Sequence, residues 1–393
     1  MTLRTQFEID GTWTSVDDGN RFLYNVAQET GTQIDVIGHS VQGREILALT
    51  YGTGDKKLLV TSGVHGTEPG SREAILIKAR DMAYNINNKY TDYLSDHKVV
   101  IVPTLNPDRM HDTYRNAHNI DINRVVYQLD SPEGIAFLRL LNEFRPDIHV
   151  DHHERFGNVN EIQYVRAMHL DDNSDLTVRE TIQNALDYVM GELESRGHTT
   201  GYYGANITGF GSLTSGSGIL GTITFTPETP MQTWSESKRV DLQVQTFDLV
   251  LEWHANNQPL IEQMKLDFIS NMLKPSDTFY LMNGLEKGAE FYTRANKTPI
   301  ELPEGYVIKD FNKFAPWKEI YDIQVNPSGF IPVNQRTGRL LPHILDPLSD
   351  YAVVQATRIE PGEPIPVDPI RRTGGRYTKV LYDEWREVFI KYM

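Results

Sequence analysis

Apolar runs and helical spacings alternate along the first two-thirds of the chain. Residues 57–61 (KLLVT), 98–103 (KVVIVP), 148–152 (IHVDH) and 222–226 (TITFT) read as inner strands. Residues 33–37 and 46–51 read as two more. Ser15–Asp18 makes a polar start to a short helix through Phe22 and Val26. Residues 69–86 carry Ile75, Ala79, Met82 and Ala83, compatible with a helix, and 135–144 also reads as helical. Val240, Val244, Phe247 and Leu251 stripe one face of 240–253. Strands alternating with helices predict an α/β fold with a mixed, largely parallel central sheet flanked by helices. Functional groups in such sheets gather beyond the strand ends.

The pattern changes after residue 264. Residues 265–298 are expected to be a linker or connecting helix. LPEGYVIKDF, NPSGFIPVN, DYAVVQATRIEPGEPIPV and RYTKVLYDEW then read as short strands between Pro/Gly turns. Eleven of the 20 prolines fall in 299–393, which supports a small C-terminal β-rich domain there. The expected division is therefore 1–264, 265–298 and 299–393. Histidine runs the other way: 11 of 12 lie at or before His254, so metal-capable chemistry belongs to the first unit.

Charge and cysteine content narrow the classes. Lys plus Arg number 38 against 53 Asp plus Glu, a net charge of −15. That argues against a nucleic-acid partner or an anionic membrane. With no cysteine, thiolate zinc sites, thiol nucleophiles and iron–sulfur clusters are excluded. No apolar run approaches the roughly 18 residues of a membrane span. The first 20 residues lack a secretory apolar core. The expected location is cytoplasmic or virion-associated.

Four segments carry chemistry. LLVTSGVHGTEPG sets His65 and Glu68 three residues apart just after a strand, one nitrogen and one oxygen donor of the kind zinc accepts. A turn histidine beside a helix N-terminal Glu is the plainer reading of that fragment alone. In PDIHVDHHE, strand alternation puts His149, Asp151 and His153 on one face and His152 on the other. In TITFTPETP, Glu228 follows a strand between Pro227 and Pro230, where a carboxylate can act as general base on a metal-activated water. NPDRMHDTYRNAHNIDINR gathers Arg109, Arg115 and Arg124 in an otherwise acidic chain. Each guanidinium fork matches a carboxylate or an oxyanion.

Taken in this order, HGTE after a strand, NPD, R…N…DINR, a strand ending D-x-H-E and a late strand–Glu resemble the zinc carboxypeptidase family of the carboxypeptidase A type. The likeness spans about residues 15–255. It implies one zinc ion held by His65, Glu68 and His153, with His152 as the alternative third ligand. It implies Glu228 as general base and proton shuttle, and Arg115 as the group that polarises the scissile carbonyl. Asn123 and Arg124 would hold the substrate's terminal carboxylate. Asp121 would accept a hydrogen bond from the far nitrogen of His65.

The family's mobile-loop tyrosine has no counterpart in register within GYYGANITGFGSLTSGSG, so Tyr203 stands as an auxiliary substrate-binding donor. Leu213 would line the specificity pocket. The implied function is a zinc-dependent carboxypeptidase cleaving next to a free C-terminal carboxylate, with peptidoglycan stem peptides as one substrate class. The alternatives are an N-acyl amino acid amidohydrolase and a phage tail attachment module that keeps the peptidase fold, joined to a virion through 299–393. The oligomeric state is left open.

Overall fold

The main sheet is built from β1 (Gln33–His39), β2 (Glu45–Tyr51), β3 (Lys56–Ser62), β4 (His97–Val102), β5 (Ile148–Arg155), β6 (Ile162–Val165), β7 (Thr200–Tyr202) and β8 (Ile223–Pro230). The computed structural model describes residues 2–166, 173–203, 211–283 and 296–366. In it the strands lie in the order β1-β2-β4-β3-β5-β8-β6-β7. The block β4-β3-β5-β8 is parallel. β1 and β2 join it antiparallel, and β6 runs antiparallel to β8 and parallel to β7. This is the expected mixed, largely parallel sheet. β3 and β4 read as unbroken apolar runs because both their faces are covered: Leu58, Leu59, Val60 and Val99 to Val102 are all buried.

Helices Pro69–Ala83 and Glu236–Asn256 pack against each other. The two faces of β5 show which layer each side chain meets. His152 Nδ1 sits 2.6 Å from Gln243 Oε1, on helix Glu236–Asn256. His149 instead meets Ser217 Oγ at 2.7 Å and the ring of Phe137, on helices Leu213–Gly218 and Pro132–Phe144. His153, two residues from Asp151, follows the alternation of His149 rather than that of His152.

Several elements go beyond the sequence expectation. β6 and β7 are too short to show a period. Helix Leu176–Ser195 buries Val178, Ile182, Leu186, Val189 and Leu193 at helical spacing, a pattern legible in the sequence but absent from the elements expected above. The C-terminal part contains the expected short strands β11 (Gly305–Ile308), β12 (Phe330–Pro332) and β13 (Ala356–Ile359) in one sheet. A preceding pair, β9 (Thr278–Asn283) and β10 (Asn296–Glu301), is antiparallel. Helix Phe311–Tyr321 interrupts them, and its internal Pro316 is what hides it from a sequence reading. Helix Gln258–Ser270 begins before the expected connector and runs into it. The strand expected in RYTKVLYDEW lies outside the described residues.

Residues 1–264 and 299–393 remain our proposed units, and the packing ties them together. Phe314, Tyr321, Leu341 and Ile344 belong to the same continuous apolar cluster as Leu59 and Val150. Trp317 Nε1 donates to the Tyr127 carbonyl at 2.8 Å. Arg339 pairs with Asp175 at 3.1 Å. Phe314, fully buried, is expected to cost about 3–5 kcal/mol when cut to alanine. Circular dichroism should then show the whole protein melting earlier in one transition. A separate early transition with the remainder unchanged would contradict a shared core.

Candidate metal centre

His65 and Glu68 leave the sheet together. β3 ends at Ser62, and Gly63 turns the chain with a φ of 64°, a left-handed conformation that favours glycine. Gly66 lets the turn press against the next loop, since a Cβ there would lie 1.7 Å from the Arg109 carbonyl oxygen. Helix Pro69–Ala83 starts immediately afterwards with Pro69 in its first turn. Glu68 occupies the cap position yet makes no side-chain cap bond. Its carboxylate points at imidazoles instead: Oε1 lies 2.7 Å from His65 Nδ1 and Oε2 lies 2.9 Å from His153 Nδ1. The Gly70 N–H at the helix start is taken by Glu154 from β5, at 2.6 Å.

His153 enters from β5, whose parallel register with β3 sets Ser62 beside His152. The His65 and His153 rings meet edge to face at 4.8 Å between centroids. The ligand atoms of His65, Glu68 and His153 all lie within 4.8 Å of one another. His152 faces away toward Gln243, so of the two candidate histidines His153 is the one in the cluster.

Each imidazole is held from behind by a carboxylate. His65 Nε2 is 3.3 Å from Asp121 Oδ1. His153 Nε2 is 2.6 Å from Asp151 Oδ2, and Asp151 also accepts the Thr61 hydroxyl at 2.7 Å. Such partners fix ring orientation and leave the Nδ1 lone pairs aimed inward. Asp151 is a site residue the sequence reading used only for register. Its signal was the Asp-x-His spacing, which puts both side chains on one strand face.

Charge follows geometry. Burial alone would depress His65, but Glu68 and Asp121 override it and raise its pKa to about 9. Burial disfavours the Glu68 carboxylate, yet His65 and His153 outweigh that and bring it to about 2. Glu228 lies beside His153 in the β5–β8 register. Burial pushes it up to about 8, with the Glu68 charge adding to the rise while His153 and His65 pull against it.

The remaining expected residues are distributed around this group. Arg115 is held in its own loop, its Nε donating to Tyr114 Oη at 2.9 Å and one terminal nitrogen to the Asn119 carbonyl at 3.0 Å. The Tyr114 ring in turn meets the His65 ring edge at 6.1 Å. Asn123 accepts the Leu213 N–H at 2.8 Å, and its Nδ2 lies 3.4 Å from His153 Nε2. Arg124 donates to the Asn123 carbonyl at 2.9 Å. Tyr203 is close enough to feel the Glu228 charge, which adds to burial in raising its phenol pKa. Leu213 is fully buried in the core. Arg109 lies apart, paired with Asp112 at 2.7 Å on an exposed turn.

Two imidazole nitrogens and a carboxylate are all acceptors once deprotonated. Brought this close, they need a shared cation or shared protons. The N, N, O donor set, with every ligand buried and two rings held from behind, fits a zinc ion.

Residues 20–132 match the family model described as zinc carboxypeptidase. That stretch contains His65, Glu68, Arg115 and Asp121 to Arg124, and stops before His153 and Glu228. Among solved structures, a metallo-carboxypeptidase from Burkholderia cenocepacia is 20% identical and superimposes with a TM-score of 0.52, covering 61% of this chain and 69% of that one. Bovine thrombin-activatable fibrinolysis inhibitor, solved with tick carboxypeptidase inhibitor, is 13% identical over 63% of this chain and 98% of its own, with a TM-score of 0.54. Carboxypeptidase A from Helicoverpa armigera is 13% identical over 63% of this chain and 74% of its own, with a TM-score of 0.52. No curated protein matches the sequence. The chain has the metallo-carboxypeptidase fold expected of it. The matched stretch and the fold agree with the donor chemistry, and the His65–Glu68–His153 cluster is where a zinc ion would fit.

The pKa directions give a test that separates protons from metal. In chelator-treated protein, His65 adds stability fully below about pH 6.5, its unfolded value, and loses it as pH rises through about 9. Glu68 adds stability above about pH 4.5 and loses it as pH falls toward 2. Zinc must displace the His65 proton, so its stabilisation should grow across pH 6.5–9. The melting-temperature gap between zinc-loaded and chelated protein is expected to widen over that window. A gap independent of pH would contradict imidazole ligation.

Proposed function

We propose that the protein is a zinc-dependent carboxypeptidase that hydrolyses the peptide bond next to a free C-terminal carboxylate. The observation that carries this reading is the register of β5 against β8, which sets the candidate base Glu228 beside the candidate ligand His153. When bound, zinc supplies Lewis-acid polarisation of a carbonyl and lowers the pKa of a water.

The chain's own groups do the rest. Glu228, with a carboxyl whose affinity for a proton is raised by its surroundings, accepts the proton of the attacking water and returns it to the leaving amine. Arg115 offers a guanidinium to the developing oxyanion. Asn123 and Arg124 hold the terminal carboxylate, which makes a free C-terminus part of what is recognised. Tyr203 serves as an auxiliary donor beside Glu228. Asp121 and Asp151 keep the two imidazoles in the tautomer that faces inward.

The substrate class extends, in this reading, to stem peptides of the cell wall, whose free carboxylates suit the same arginines. An N-acyl amino acid would use the same base and clamp. A virion-borne role for 299–393 rests on the phrasing of that segment alone.

Glu228→Gln is expected to keep zinc but to lower kcat by several orders of magnitude, as removal of a core catalytic group does. Mass spectrometry of oligopeptides, stem-peptide fragments and acyl-amino acids incubated with the zinc-loaded protein reads the outcome. Loss of single C-terminal residues supports the reading, and internal cuts or turnover of acyl-amino acids alone would replace it. Near-normal turnover by the variant would remove Glu228 from the mechanism.

A further inference from the structure

Three strands deliver side chains in a row across the site. His153 of β5 stands beside Glu228 of β8, and Glu228 stands opposite Gln163 of β6. Gln163 is 7% exposed, its amide nitrogen donates to Glu161, and its Oε1 has no hydrogen-bond partner among the described residues. An unsatisfied buried carbonyl oxygen is costly and calls for a donor.

On the other flank stands Arg155, the last residue of β5. It lies two residues beyond His153 on the same strand face, a step of roughly 6.6 Å along the strand. Its guanidinium lies 4.4 Å from the centroid of the Tyr203 ring. Its one side-chain hydrogen bond among the described residues, at 3.3 Å, runs from Nε to the Phe156 carbonyl. Arg80, Arg239 and Arg339 each reach a carboxylate, but Arg155 pairs with none among the described residues. In a chain with 53 acidic side chains against 38 basic ones, Arg155 is thus a half-buried cation with no carboxylate beside it among the described residues. Stacking on an aromatic ring holds the plane of a guanidinium and leaves its terminal N–H fork open, the geometry that takes a carboxylate with two parallel bonds.

We infer that Arg155 and Gln163, on either side of Glu228, form a subsite for a substrate residue that carries a second carboxylate beside the scissile bond. Arg155 takes that carboxylate, and Gln163 Oε1 accepts an N–H of the same residue. The inference rests on the peptidase reading above and adds a substrate class to it: acidic peptides rather than neutral ones. Two sources supply this chemistry, the side-chain carboxylate of an α-linked Asp or Glu and the free α-carboxylate of a γ-linked Glu.

The test uses matched probes. N-acetyl-Glu-Ala is compared with N-acetyl-Gln-Ala, and N-acetyl-γ-Glu-Ala with its α-amide, on zinc-loaded wild type, Arg155→Gln and Arg155→Lys. Wild type is expected to favour the acid over the amide in kcat/KM by roughly 10- to 100-fold, as for a hydrogen bond to a charged group. That ratio should fall close to one in Arg155→Gln and recover partly in Arg155→Lys. Whichever pair shows the larger ratio identifies the source. Gln163→Leu should weaken acid and amide alike, leaving the ratio unchanged. Equal rates on acid and amide in wild type, or an undiminished ratio in Arg155→Gln, would overturn the subsite. Calorimetry on zinc-loaded Glu228→Gln, with and without Arg155→Gln, reads binding of the same probes without turnover. Acid-selective binding that disappears with Arg155, in a protein that cleaves none of the probes, would uphold the subsite and overturn the peptidase reading.

Discussion

Mutual repulsion among three buried acceptors is the constraint on which this structure turns. His65 Nδ1, His153 Nδ1 and the Glu68 carboxylate are brought together by a sheet, a turn and a helix start. Shared protons satisfy them in one way, with His65 drawn toward its cation. A dication satisfies all three at once. Burying such a group without either would leave uncompensated charge in a low-dielectric setting, a cost of several kcal/mol.

The rest of the fold reads as the means of keeping that group assembled. Asp121 and Asp151 hold the two rings from behind, and Thr61 holds Asp151. Behind β5, Gln243 accepts from or donates to three partners at once: His152, the His153 carbonyl and Thr229. Glu154 then joins β5 to the start of helix Pro69–Ala83 through Gly70 and to helix Glu236–Asn256 through Arg239, 2.6 Å in each case. A Cβ at Gly70 would meet Glu154 Oε1 at 2.6 Å, so the absence of a side chain there is part of the same joint. Each of these bonds is modest alone, but all except the part-buried His65–Asp121 contact are buried, where a lost partner costs more than the bond itself contributes.

Charge distribution gives the site its chemical direction. The chain as a whole is strongly acidic, yet Arg115, Arg124 and Arg155 collect around one strand-end region. Local cationic fork geometry inside a negative overall field favours ligands that bring their own carboxylates to a specific place and discourages polyanions from settling elsewhere. Glu228 stands among them with a raised affinity for a proton, which suits the general base we propose.

Local chemistry in the sequence was enough for the strand cores, the donor types and the ordered motifs. KLLVT and KVVIVP are apolar because parallel inner strands are covered on both faces. HGTE and D-x-H-E carry candidate ligand atoms because side chains at the ends of neighbouring strands can reach a common point. Periodicity alone narrowed the proposed third ligand without settling it, since His152 and His153 are adjacent and chemically identical. Which of them faces Glu68 is decided by the parallel register of β5 against β3 and β8, a relation between strands dozens of residues apart. The same holds for Gln163, which sits in a short strand with no legible period and gains meaning only when β6 pairs with β8. Helix Phe311–Tyr321 was hidden by its proline, and its place in the common core depends on Trp317 meeting Tyr127 across the molecule. The sequence determined which atoms were available, because donor chemistry is a property of each residue. Tertiary structure decided which of them meet, because strand register and helix packing are set by burial summed over the whole chain.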